Sequence, residues 1–145
     1  MAAEVYGLNL ATSARPSGQP LLTVRRRNTI AEVNAGVTIL AAQIGIKYRM
    51  VDCKAISVGG AAAAVTTVDI LGTQSTSSVK LAAFAQASLT QSTVLRPGVS
   101  GTTVLADGAS FVANDVSTAI TVGKTGASVT TATHIDIEIL YTIEE

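Results

Sequence analysis

The chain has 145 residues, of which 48% are hydrophobic and only 3% aromatic, and its ten cations balance ten carboxylates. That length supports one domain with one core. The interior must be filled by Ala, Val, Ile and Leu, with Tyr6, Tyr48, Phe84, Phe111 and Tyr141 as the only large rings. No apolar run approaches the ~18 residues of a membrane span. The start, MAAEVYGLNLATSARPSGQP, lacks the basic-then-apolar pattern of a secretory signal. Synthesis in a reducing cytoplasm, with no membrane partner, is the expectation.

Charge is sparse and unevenly placed. Residues 1–54 hold seven cations against three carboxylates, net +4, and the remainder is net −4. So little charge gives copies of the chain little mutual repulsion. A basic front and an acidic back suit contacts between chains, with two ordinary solvated faces as the alternative. Cys53 is the single cysteine, so no intrachain disulfide forms, and its setting in a strand predicts a small buried hydrophobe.

In chain order, residues 1–20 read as an extended arm: TSARPSGQP is rich in Pro, Ser and Gly and has no hydrophobic period. LLTVRRRN predicts a short strand with Leu22 and Val24 on one face. TIAEVNAG and VTILAAQIG follow as short β-branched segments punctuated by glycine. YRMVDCKAISV predicts a strand whose apolar parity shifts between Val51-Cys53 and Ile56-Val58, as a bulge would cause. In SVGGAAAAVTTVDILGT, Ala61 to Ala64 make little more than one helical turn, and an isolated helix below ~12 residues is marginal. Strand, small-residue loop, strand is the better reading, with VTTVDILGT as the hairpin partner of the strand before it. Val79 to Phe84 predicts a strand followed by a loop or a single helical turn. Asp107-Gly108 is a two-residue hairpin signal, and TAITVG predicts a strand with Ile120 and Val122 inward. The clearest element is HIDIEILYTI, where Ile135, Ile137, Ile139, Tyr141 and Ile143 alternate with His134, Asp136, Glu138, Leu140 and Thr142. Many short strands without a long helix predict an all-β protein, an antiparallel jelly roll or β-sandwich with an extended N-terminal arm. The expected division is an arm over residues 1–28 and a sandwich over 29–145.

Motifs for chemistry fail on inspection. VGKTG at Val122 to Gly126 lacks the first P-loop glycine, since Thr118 stands in its place, and β-branched residues follow where a helix is needed. A tight turn at Gly123 to Gly126 is the expectation instead. With one histidine, His134, no multi-histidine metal site is possible. Asp136 shares its strand face, but no G-x-S-x-G elbow supplies a nucleophile. No catalytic, cofactor or metal-binding residue is assigned. Arg25-Arg26-Arg27 is the one charge cluster. It lacks aromatic neighbours for base stacking and sits in a neutral chain, so nucleic acid is not the expected partner. Guanidinium groups that pair bidentately with carboxylates on a partner surface suit it better, with a solvated turn as the alternative.

The order of IKYRMVDCKAISVGGAAAAVTTVDILGT, VKLAAFAQASLTQSTVLRPG, TTVLADGASF, VSTAITVGKTGAS and THIDIEILYTI resembles the small jelly-roll decoration, or cement, proteins of tailed-bacteriophage capsids, over roughly residues 44–143. The resemblance implies a non-enzymatic, usually trimeric β-sandwich on the outside of an expanded capsid, clamping neighbouring major capsid subunits, with an arm that reaches across them. It implies a virion-surface location and no cofactor. Arg15, Arg25, Arg26 and Arg27 are then the expected partner-binding residues. A tail, neck or head-fibre component on the same fold is the alternative. A small-ligand or carbohydrate-binding sandwich is a second, disfavoured by the scarcity of aromatics.

Overall fold

Alternation of exposed and covered side chains defines the first strand, β1 (Leu22–Thr29), in which Leu22, Val24, Arg26 and Asn28 turn one way and Thr23, Arg25, Arg27 and Thr29 the other. The structure, a computed structural model, describes residues 20–96, 102–103 and 109–144. The expected arm before Pro20 and the expected Asp107-Gly108 hairpin lie outside the described residues. Residues 22–28, assigned to the arm on sequence, lie in β1.

The segment after β1 corrects the strand-like reading of TIAEVNAG. Ile30–Ala35 is a helix, α1, started by a capping box in which Thr29 Oγ1 receives the Glu32 N–H and Glu32 receives the Thr29 N–H. A Thr-x-x-Glu box satisfies two of the N–H groups that a helix start leaves free, enough to set a short helix against β-branched propensity. Next come β2 (Val37–Leu40), β3 (Lys47–Val58), β4 (Ala62–Gln74), β5 (Ser77–Ala85), and two-residue strands β6 (Val94–Leu95) and β7 (Thr102–Thr103). A single 3-10 turn at Ala109–Phe111 precedes β8 (Ile120–Thr131) and β9 (His134–Glu144).

The strands form a front sheet ordered β1-β9-β3-β6 and a back sheet ordered β2-β8-β4-β5-β7, with every paired strand antiparallel. Among the described residues and apart from β7, eight strands remain, and only β4–β5 joins consecutive strands within one sheet. Every other connection among them crosses the sandwich. That is the strand order of a jelly roll, two interleaved Greek keys. It also corrects the expected β3–β4 hairpin: β4 pairs with β5 and β8, while β3 pairs with β9 and β6. Gly59, at φ +76°, turns the chain from one sheet to the other.

Two irregularities were mislocated by sequence. The β3 bulge lies between Met50 and Asp52, upstream of the expected place, so Tyr48 and Met50 point inward before it and Cys53, Ala55 and Ser57 after it. Ile56 and Val58 face outward, which is why their parity looked wrong. The expected tight turn at Gly123 to Gly126 is instead continuous β8 strand, kinked where Gly126 adopts φ +87° opposite Val65. A Cβ there would come within 2.4 Å of Thr66 Oγ1, so the bulge needs glycine on both grounds.

The core is aliphatic, as composition requires. Val68, Ile70, Leu81, Leu89, Ile120, Val122, Ile135, Ile137 and Ile139 are all buried, with Phe84 the largest among them. Tyr48 stacks edge-on against Tyr141, centroids 5.6 Å apart, and donates its hydroxyl to the Ala41 carbonyl at 2.9 Å. Cys53 is fully buried, and burial pushes its thiol up to about 12. Because Ile137 sits at the middle of a central strand, Ile137→Ala should cost about 2–4 kcal/mol through lost burial and a residual cavity. Urea unfolding should show this as a lower midpoint at unchanged slope.

Candidate docking face

Pairing places β9 between β1 and β3, and the outward residues of the three strands meet in register. Arg27 lies opposite Asp136, Arg25 opposite Glu138, and on the other side Lys54 lies opposite Glu138 and Ile56 opposite Asp136. On the outer face of the front sheet, two carboxylates of β9 are thus flanked by two arginines of β1 on one side and by Lys54 and Ile56 of β3 on the other. Asp136, though on the outer face, is only 6% exposed. Its oxygens receive Arg27 Nε and Nη2, each at 2.8 Å, in the planar two-point geometry a guanidinium favours. Lys54 Nζ donates to Glu138 at 2.5 Å, and Arg49 pairs with Glu144 further along. The hydrogen bond from Arg27 holds the Asp136 carboxyl below its ordinary range, against the opposing effect of desolvation. The hydrogen bond from Lys54 does the same for Glu138, with Arg25 and Arg96 adding to it through space.

The three consecutive arginines therefore have three different settings. Arg26 points away from this face. Its Nη1 donates to the Thr38 carbonyl of β2 at 2.6 Å and its Nη2 to Glu32 Oε1 at 2.9 Å, bridging the edges of the two sheets and the first turn of α1. Arg27 is engaged with Asp136. Arg25 approaches Asp136 only to 3.7 Å, and its side chain is 69% exposed. It stands at the rim of a depression of about 210 Å³ with Lys54, Ile56, Val94, Asp136 and Glu138. Arg15 lies outside the described residues. Sequence reasoning did not find Lys54, Ile56 or Val94, because they join the site only through the register of β3 and β6 against β9. The alternating acids of HIDIEI were the available signal: two outward carboxylates on a strand with neighbours on both sides call for cations on those neighbours.

Two measurements follow. Asp136, Glu138 and Glu32 all have folded values lowered from the ordinary carboxylate range. The stability they supply is therefore present above about pH 4 and lost as pH falls through their folded values. Asp136→Asn should be less stable than wild type at neutral pH, and the gap in urea midpoint should close as pH falls below about 4. A gap independent of pH would rule out the pairing as its cause. Among the arginines, Arg26→Ala should lower the urea midpoint clearly, whereas Arg25→Ala should shift stability by no more than ~0.5 kcal/mol.

In comparison with known proteins, no family model and no curated protein matches the chain. Among solved structures, it is similar to a chain of the acidic stable capsid structure of Helicobacter pylori bacteriophage KHP30, with 14% identity and a TM-score of 0.46, over 88% of this chain and 96% of that one.

Proposed function

We propose that this chain is a structural protein of a tailed-phage virion. In this reading it binds the outer surface of the expanded capsid and clamps neighbouring major capsid subunits, acting as a homotrimer after synthesis in the host cytoplasm. The jelly-roll strand order is the fold that the sequence resemblance implies. The observation that carries the docking reading is Arg25, an exposed guanidinium beside a carboxylate already held in two-point contact by Arg27. A carboxylate on a partner can therefore take Arg25 while the Arg27–Asp136 pair stays intact. Ile56 and Val94 in the adjoining depression offer apolar area beside it. Arg15, on the arm, belongs to the same proposal as a second contact across a subunit boundary. Many copies on one lattice would then act together, so a modest contact per copy suffices.

The test is attachment of the purified chain to expanded and to unexpanded empty phage heads. Binding to expanded heads alone is expected, and Arg25→Ala should weaken it, since removing one member of a desolvated charge pair costs ~2–5 kcal/mol. A binding curve for Arg25→Ala that overlays wild type would remove Arg25 from the contact. Binding to tails or necks and not to heads would replace the decoration role with the alternative one.

A further inference from the structure

The end of the sandwich where β3 begins and β9 finishes carries an apolar surface that the docking face does not include. Ile44, Phe111, Val112 and Val116 are 98%, 78%, 53% and 51% exposed. The chain has only two phenylalanines. Phe84 is fully buried, while Phe111 is left on the surface. These side chains stand on firmly braced backbone. Asn114 N–H donates to the Tyr48 carbonyl, Asp115 N–H to Thr73 and Ser117 N–H to Ile46, each at 2.8 Å. The Asp115 carboxylate receives the N–H groups of Ser75 and Thr76, and Gln74 Nε2 donates to the carbonyls of Ala109 and Val112. Strands of both sheets thus hold this segment with its apolar side chains pointing out. Preorganised aromatic and aliphatic groups on a rigid base are what a specific protein contact uses.

Phe111, Val112 and Val116 form one wall of an open groove of about 1110 Å³, with Lys47, Arg49, Asp115 and Glu144 among its other lining residues. A projecting ring and a groove on the same surface can fit copy to copy, the ring of one entering the groove of the next around a closed rotation. Charge points to the same occupant. The groove holds two cations and two carboxylates, of which Arg49 and Glu144 pair with each other, so a second copy meets a neutral, mixed surface on which Lys47 of one copy can face Asp115 of the next. A strongly charged partner would gain nothing there, and zero net charge on the whole chain adds no long-range repulsion between copies.

We infer that this end of the sandwich is the self-association surface of the chain, with Phe111 and Val116 at its centre. The inference rests on the self-association proposed above but not on the virion reading. Sedimentation equilibrium of the full chain at micromolar concentrations tests it. Wild type should sediment as a multiple of 14.7 kDa. Phe111→Asp/Val116→Asp should weaken association at least about tenfold and sediment as a monomer, while keeping its circular dichroism and a cooperative melt. Val51→Ser, at an exposed apolar residue of β3 that does not line the groove, should leave association unchanged. A wild-type chain that is monomeric throughout would overturn both self-association and this surface. An oligomer unaffected by the double substitution would overturn the surface alone. Should the double variant fail to fold, hydrogen exchange on wild type decides: amides of residues 111–117 should gain protection as protein concentration rises, and protection independent of concentration would overturn the inference.

Discussion

Everything on the front sheet follows from the position of β9 between two other strands. Neighbouring strands lie about 4.8 Å apart, so an outward side chain on β9 is walled on both sides and loses much of its water. A carboxylate in that place is costly unless it is paired. Asp136 and Glu138 are paired, one by Arg27 from β1 and the other by Lys54 from β3. On the inward side the same strand puts Ile135, Ile137 and Ile139 at the centre of the core. The two requirements reinforce each other. A slip of one residue would drive both carboxylates into the hydrocarbon interior and three isoleucines into water, so the register is fixed from both faces.

The same alternation divides the arginine triplet. Three identical residues in a row cannot share a task on a strand, because successive side chains leave opposite faces. Arg25 and Arg27 join the charged outer face, and Arg26 turns to the edge where β1 lies over β2. There its guanidinium supplies donors to a β2 carbonyl and to the capping-box carboxylate of Glu32 at once. A lysine would offer a point charge to one of these, where the planar fork reaches both. Arg26, one of the arginines expected to dock, is in this way a brace of the fold, while Arg25 beside it stays exposed.

How much was legible depends on the range of the physics involved. HIDIEILYTI announces itself because period-two alternation is local, and so do the inward residues Ile120 and Val122 of β8. The all-β class and the sandwich follow from many such segments. The capping box from Thr29 to Glu32 was legible too, but β-branched composition in TIAEVNAG masked it. What stayed hidden depends on pairing across the chain. The crossing from β3 to β4 looks like a hairpin because both flanks are strands around glycines, and only the core decides that they lie in different sheets. Gly123 to Gly126 looks like a turn for the same reason. Nothing near Lys54 or Val94 in sequence shows that both would stand beside Arg25.

The stretches of strand edge that the front sheet leaves uncovered are partly closed chemically, and this bears on how the molecule can meet anything else. A bare strand edge presents free N–H and C=O groups that invite another strand. On β3, beyond the two residues that β6 covers, the bulge after Met50 breaks the flat run, and the Cys53 N–H is taken by the Asp52 carboxylate at 2.8 Å. At the other edge, Arg26 ties β1 to β2, and α1 covers the continuation of that seam. There the Asn34 side-chain amide both donates to the Val129 carbonyl and accepts from its N–H, completing the edge of β8 as a neighbouring strand would. Strand addition, with its register-tolerant backbone bonds and its tendency to continue indefinitely, is thereby discouraged. Side chains on the outer face and at the braced end of the sandwich stand in a geometry fixed by the fold. A body that must meet partners in one orientation, and stop, is better served by surfaces of that kind.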